Sequence, residues 1–149
     1  VDIQYVEAET VYTLGESSLT IYPPGDVEGD NEQGLAVLCT YGDYDLLITG
    51  DRNMAAERQL IADHDLPDIE ALVVGHHGSK SSTSEQLLAA TAPDYAFLSV
   101  GEHNTYGHPA QETLERLAAA GCRIYRTDLQ GNITLHMGAA VETERSDSQ

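Results

Sequence analysis

The chain has 149 residues, 41% of them hydrophobic, with no Trp, one Phe and eight Tyr, which fits one α/β domain with a real core. Its formal charge of −18, from 25 acidic against 7 basic side chains, excludes broad capture of phosphate backbones by a basic face, although bound cations can reverse a local field. No apolar run is long enough to cross a bilayer and no basic-then-apolar leader opens the chain, so an anchor or export signal is expected outside these residues.

Short strands and turns dominate the first third. Thr10–Leu14 and residues 18–22 read as a hairpin around Gly15-Glu16, stopped by Pro23-Pro24-Gly25. Residues 25–34 carry Asp26, Glu28, Asp30 and Glu32 with no apolar face, an exposed loop whose spacing lacks the Gly and terminal Glu of a calcium loop. Residues 35–40 and 44–49 form a second hairpin across Gly42-Asp43, ending in Gly50-Asp51. Helical spacing follows over 53–62, with Met54, Leu60 and Ile61 on one side and Asp65-Leu66-Pro67 closing it.

The next strand, 71–74, is short and β-branched and runs straight into Gly75-His76-His77-Gly78-Ser79-Lys80. Ser82 with Glu85 makes a capping box for a helix over 84–91. A strand over 95–100 leads into a polar loop, 101–107, and Pro109 is expected as the first residue of a helix through Ala120, ended by Gly121. Arg123–Arg126 and 132–136 are strands around a turn at 128–131, and the tail 142–149 is polar and expected to fray after a single domain over 1–141. Cys39 and Cys122 stand alone, without metal spacing, and read as buried free thiols.

From Tyr44 onward strands and helices alternate, the order that builds a parallel sheet through crossover connections. Consecutive parallel strands end on one edge, where chemistry in open α/β sheets collects. The residues past those ends are Asp51, then His76 and His77, then 101–108 with His108, then Thr127-Asp128. Adjacent residues on an extended strand point to opposite sides, so one of His76 and His77 is expected to serve a site while the other packs or faces water. A carboxylate and neutral imidazoles are suitable ligands for zinc, manganese or iron, and a carboxylate can bridge two metals about 3.5–4 Å apart. His108, directly before a helix, could donate to a bound phosphate or leaving group, whereas His64, His103 and His136 read as structural or solvated. The Gly-rich segment around Lys80 is similar to a phosphate loop but breaks the Walker spacing, so no nucleotide cofactor is expected; Lys80 and the amides at Gly78 and Ser79 could hold an oxyanion.

At Leu46-Leu47-Ile48-Thr49-Gly50-Asp51, Val74-Gly75-His76-His77-Gly78-Ser79-Lys80, Ser99-Val100-Gly101 with Asn104 and Tyr106-Gly107-His108-Pro109, and Tyr125-Arg126-Thr127-Asp128, the chain resembles one branch of the metallo-β-lactamase fold. That branch is the extracytoplasmic C-terminal domain of bacterial late-competence DNA-uptake channel proteins of the ComEC type. The resemblance implies the C-terminal part of an αββα sandwich, a mixed sheet flanked by helices. It implies Asp51 as bridging aspartate, His76 as the last histidine ligand with His77 as substitute, and His108 as a further active-site residue. It also implies attack of metal-activated hydroxide on a DNA phosphodiester, with zinc or manganese as cofactor and a bacterial membrane protein as setting. The His-x-His-x-Asp-His of the wider fold is absent from these 149 residues. The chain alone is therefore expected to hold metal weakly or not at all, with the missing N-terminal half and a transmembrane channel domain as partners and one apolar sheet face left to cover. The competing reading is a non-catalytic α/β docking module of such a channel.

Overall fold

The computed structural model describes residues 3, 5–25 and 34–145. Four strands, β1 (Thr10–Leu14), β2 (Ser17–Tyr22), β3 (Ala36–Tyr41) and β4 (Tyr44–Ile48), pair antiparallel in succession. Both expected hairpins form, and their glycines, Gly15 and Gly42, take the positive φ that a tight turn needs (61° and 58°). Then β5 (Ala71–Val73), β6 (Tyr95–Leu98) and β7 (Arg123–Arg126) continue the sheet in parallel with β4. The helices α1 (Met54–Asp63), α2 (Glu85–Thr91) and α3 (Gln111–Ala119) carry the three crossovers. The result is an α/β fold on a mixed seven-stranded sheet in the order β1 to β7. A short helix, α4 (Thr127–Gln130), and a two-stranded ribbon of β8 (Ile133–His136) and β9 (Ala140–Thr143) complete it.

Pairing register explains the core. Leu38, Leu47, Leu72, Ala96 and Ile124 lie in one row across five strands. All but the partly buried Ile124 are buried, and the row shares one apolar cluster with Leu60 of α1, Leu87 and Leu88 of α2 and Leu117 of α3. Each fully buried leucine contributes about 2 kcal/mol of transfer free energy. The neighbouring row, Ile21, Val37, Ile48, Val73, Phe97 and Tyr125, faces the other way. There the Phe97 and Tyr125 rings stack at 5.4 Å, and Ile133 and Leu135 of the ribbon border a cavity with Val73 and Phe97.

Several local expectations are corrected. The helix after the histidines is capped by Ser84, whose Oγ accepts from the Leu87 amide at 3.2 Å. Ser82 is not the cap because its hydroxyl donates to the carbonyl of Gly75 at 2.7 Å. Pro109 is not the first helical residue either: the Ala110 amide donates to the Gly78 carbonyl at 2.8 Å, which holds Ala110 extended (φ −68°, ψ 144°) and delays α3 to Gln111. Residues 128–130 are helical, and within the tail expected to fray Glu142 and Thr143 belong to β9, while the amides of Glu144 and Arg145 donate to the carbonyls of Asn132 and Gln130. Of the expected acidic loop over 25–34, residues 26–33 lie outside the described residues, as does the tail from 146. Both cysteines are free, Cys122 buried and Cys39 only half-buried. Among the described residues no helix is long and apolar enough to cross a membrane.

The segment between β5 and α2 is held from two sides. Glu57, fully buried on α1, accepts from the amides of Thr83 (2.5 Å) and Ser84 (2.8 Å). Burial pushes its carboxyl above the ordinary range, while Ser84, the Thr83 amide and Arg116 pull it partway back. From α3, Arg116 donates to the carbonyls of Thr83, Ser82 and Lys80. Glu57→Ala strands two buried amides, each costing about 1–3 kcal/mol. It is therefore expected to lower stability in urea by about 3 kcal/mol, with Glu57→Gln intermediate because one acceptor survives.

Candidate functional site

The site is built where β4, β5 and β6 end. Past β4, Gly50 turns with φ 60°, and its carbonyl accepts from the His76 amide at 3.0 Å, so Asp51 stands one residue from a direct link to the histidine turn. Past β5, the strand is over at Val73, and Gly75–Gly78 make a single tight turn. His76 and His77 both sit in the left-handed region, at φ 49° and 53°. Each such residue costs about 1–2 kcal/mol relative to ordinary backbone. Gly78 follows at φ 82°, and a Cβ there would lie 2.7 Å from Leu98 and Pro109, so the turn requires glycine on both counts.

That left-handed pair changes which histidine does what. Because the strand has already ended, the alternation that would have sent one ring away does not apply. The rings of His76 and His108 meet edge to face at 5.8 Å. The His77 ring reaches the Ser99 carbonyl with Nδ1 at 2.7 Å. A carbonyl only accepts, so Nδ1 carries the proton and Nε2 keeps a lone pair in the neutral ring.

Past β6, the loop to α3 is locked by Asn104. Its side-chain amide donates to the carbonyls of Gly101 (3.1 Å) and His108 (2.8 Å) and its oxygen accepts from the His108 amide (3.1 Å). His108 is thereby fixed over the histidine turn, with its Nδ1 buried and without a partner among the described residues. Burial lowers its pKa below the ordinary 6.5, and His76 and then His77 lower it further, since a second cation beside them is unfavourable. His108 is held neutral, a ring with one donor and one acceptor.

The structure thus gathers His76, His77 and His108 and brings the Asp51 turn against them. Among the described residues, no three of His, Cys, Asp and Glu are arranged to hold a metal ion together. Among the described residues the donors near the turn, Asp51, His76 and His77, amount to a partial ligand set. Lys80 is exposed and the Ser79 amide is taken by the His76 carbonyl (2.9 Å), so the expected oxyanion contact at that amide is not free. Asp128 pairs with Arg126 at 2.6 Å. His64 pairs with Glu9 at 2.8 Å, and His136 lies 3.5 Å from Glu142. Sequence reasoning missed Glu57 and Arg116 as the residues that hold the loop. The signal for Glu57 was present: it shares a helical face with Met54, Leu60 and Ile61, where a carboxylate needs buried donors.

Over 111 residues the chain is 36% identical to Competence protein ComA of Neisseria gonorrhoeae, covering 73% of this chain and 16% of that protein. It is 36% identical to ComE operon protein 3 of Bacillus subtilis over 110 residues, 72% of this chain and 14% of the relative. Recombination protein 2 of Haemophilus influenzae is 36% identical over 107 residues, 72% of this chain and 13% of the relative. The chain is a distant homologue of these proteins and spans only about a seventh of their length. No family model matches it.

Two outcomes follow. His77→Gly, which removes the left-handed penalty, is expected to be more stable in urea than His77→Ala by about 1 kcal/mol. In an NMR titration His108 should protonate below 6.5, and His76→Ala should raise its midpoint toward that value. Because the folded pKa is the lower one, the associated stability is present above 6.5 and is lost as pH falls through the folded midpoint.

Proposed function

We propose that this chain is part of a metal-dependent, nuclease-like phosphodiesterase domain of a bacterial competence DNA-uptake protein. In this reading the fold is the C-terminal portion of a metallo-β-lactamase-like sandwich. The observation that carries it is the meeting of His76, His77 and His108 beside the Asp51 turn at the carboxyl edge of the parallel strands. The homology to competence proteins supports the setting.

Asp51 and His76, with His77 as the alternative donor, are what this chain would offer to a zinc or manganese site whose remaining ligands come from a second half of the fold. His108 is the group placed to hold a proton at a phosphate or leaving oxygen, its ring kept neutral beside His76 and His77. The second half also accounts for the open side of the sheet, where Tyr12, Leu14, Leu19 and Tyr41 are exposed by 50%, 85%, 44% and 46%. DNA and a transmembrane channel domain are the further partners, and the domain lies on the extracytoplasmic side of the membrane. The same open face also favours a second reading, a docking module without catalysis.

Calorimetric titration with zinc and manganese separates the two. Binding is expected for a form extended toward the N-terminus but not for this chain, and Asp51→Ala or His76→Ala should abolish it. Cleavage of single-stranded DNA by the extended form should stop on chelation. Absence of metal binding by both forms would leave the docking module.

A further inference from the structure

Past β7 the two residues at the strand exit have different fates. Asp128 pairs with Arg126, whereas the Thr127 hydroxyl reaches back to the neighbouring strand exit and grips one residue of it. Its Oγ1 accepts from the Val100 amide at 2.8 Å and donates to the Val100 carbonyl at 2.8 Å. The pairing of β6 with β7 stops at Leu98 and Arg126, so this side chain takes the place of the next rung of the ladder. Thr127 is itself held by α4, whose Gln130 side chain accepts from the Arg126 amide at 2.6 Å. The N–H of Val100 belongs to the same peptide group as the carbonyl of Ser99, and that carbonyl accepts from His77 Nδ1 at 2.7 Å. A trans peptide group is planar, with its N–H and C=O pointing opposite ways. One rigid unit therefore links the Thr127 hydroxyl on one side to the His77 ring on the other.

We propose that Thr127 is a positioning residue of the histidine site: through the Ser99–Val100 peptide it holds His77 in the tautomer that carries its proton on Nδ1 and leaves the Nε2 lone pair for a cation. The need for such a hold lies in the exposure of His77. A ring open to water has other partners within reach, and a carbonyl on a loose strand end would not select one nitrogen over the other. Thr127 stops the strand end from turning that carbonyl away. It also strengthens the bond, because a peptide group that already donates through its N–H is the better acceptor at its oxygen. A ring N–H donated to a backbone carbonyl is a usual way for a protein to orient an imidazole toward a metal. That a cation is the visitor rests on the phosphodiesterase reading; the link from Thr127 to His77 lies wholly within this chain.

The test reads the tautomer itself, from the ring nitrogen shifts in a long-range proton–nitrogen correlation spectrum of the whole chain, with chelator present, at about pH 8.5 where imidazoles are neutral. His77 is expected to show a protonated Nδ1 and a bare Nε2. Thr127→Val keeps the shape and removes the hydroxyl; it should move His77 to a mixture dominated by the Nε2–H form, and Thr127→Ser should restore the Nδ1–H form. His64, whose Nδ1 meets Glu9, should keep its shifts throughout, which separates loss of the link from general loosening. An Nε2–H ring in the unaltered chain, or a His77 spectrum unchanged by Thr127→Val, would overturn the proposal. If Thr127→Val unfolds the chain or shifts His64 as well, hydrogen exchange on the unaltered chain decides. A Val100 amide slowed at least about tenfold relative to an exposed amide sustains the clamp, and one exchanging at the exposed rate removes it. In the form extended toward the N-terminus, Thr127→Val should weaken zinc binding about tenfold, and unchanged affinity beside a changed tautomer would overturn the use of the lone pair. If that form binds no zinc at all, the phosphodiesterase reading fails while the tautomer result stands on its own.

Discussion

The site depends on a carboxylate that never meets solvent. Glu57 sits on the apolar side of α1, and both of its oxygens are used by the amides of Thr83 and Ser84, which would otherwise be orphaned at the start of α2. On the far side the Arg116 guanidinium gathers carbonyls from the same segment. One helix therefore satisfies the donors of the loop and another its acceptors. Such a division is stable because each partner is charged and each loop group is a backbone dipole, the combination that gives the strong class of hydrogen bond. Between these grips the chain from Gly75 to Ser84 has little freedom, and the strained histidine turn can persist.

Strain and function meet at His76 and His77. Glycine could have adopted both left-handed conformations without penalty, so imidazoles at these positions come at a cost in stability. What the cost supplies is convergence: three rings from two strand ends approach one another closely enough that His76 and His77 disfavour protonation of His108. Neutral imidazole is the form that binds a cation or accepts a proton. The acidic balance of the whole chain acts in the same direction, since it leaves cations, not anions, as the natural visitors to a site with exposed lone pairs.

The sheet was legible from the residues because its signals are local. Alternating β-branched runs, the Gly15 and Gly42 turns, and the change from period two to helical spacing after Asp51 place all seven strands of the large sheet and three helices within a residue or two. The strand exits were legible too, since parallel order alone sends Asp51, His76 and His108 to one edge. What could not be read was decided by contacts distant in sequence. The Gly75 carbonyl recruits Ser82 and frees Ser84 to cap; the Gly78 carbonyl holds Ala110 extended; the ribbon strand β9 is polar on its outer side and gains its place by pairing with β8. The left-handed turn is likewise invisible to periodicity, because histidine carries no conformational preference that announces it.

Every strand of the large sheet lies beside its immediate neighbour in the sequence, from β1 through β7, with no strand inserted between two earlier ones. An arrangement of this kind can be laid down in the order of synthesis, each new strand docking on a template already made, while the ribosome still holds the remainder. The histidine turn would then be set in place before His108 has emerged. The imidazole cluster closes only when the third crossover is finished, late in the life of the nascent chain.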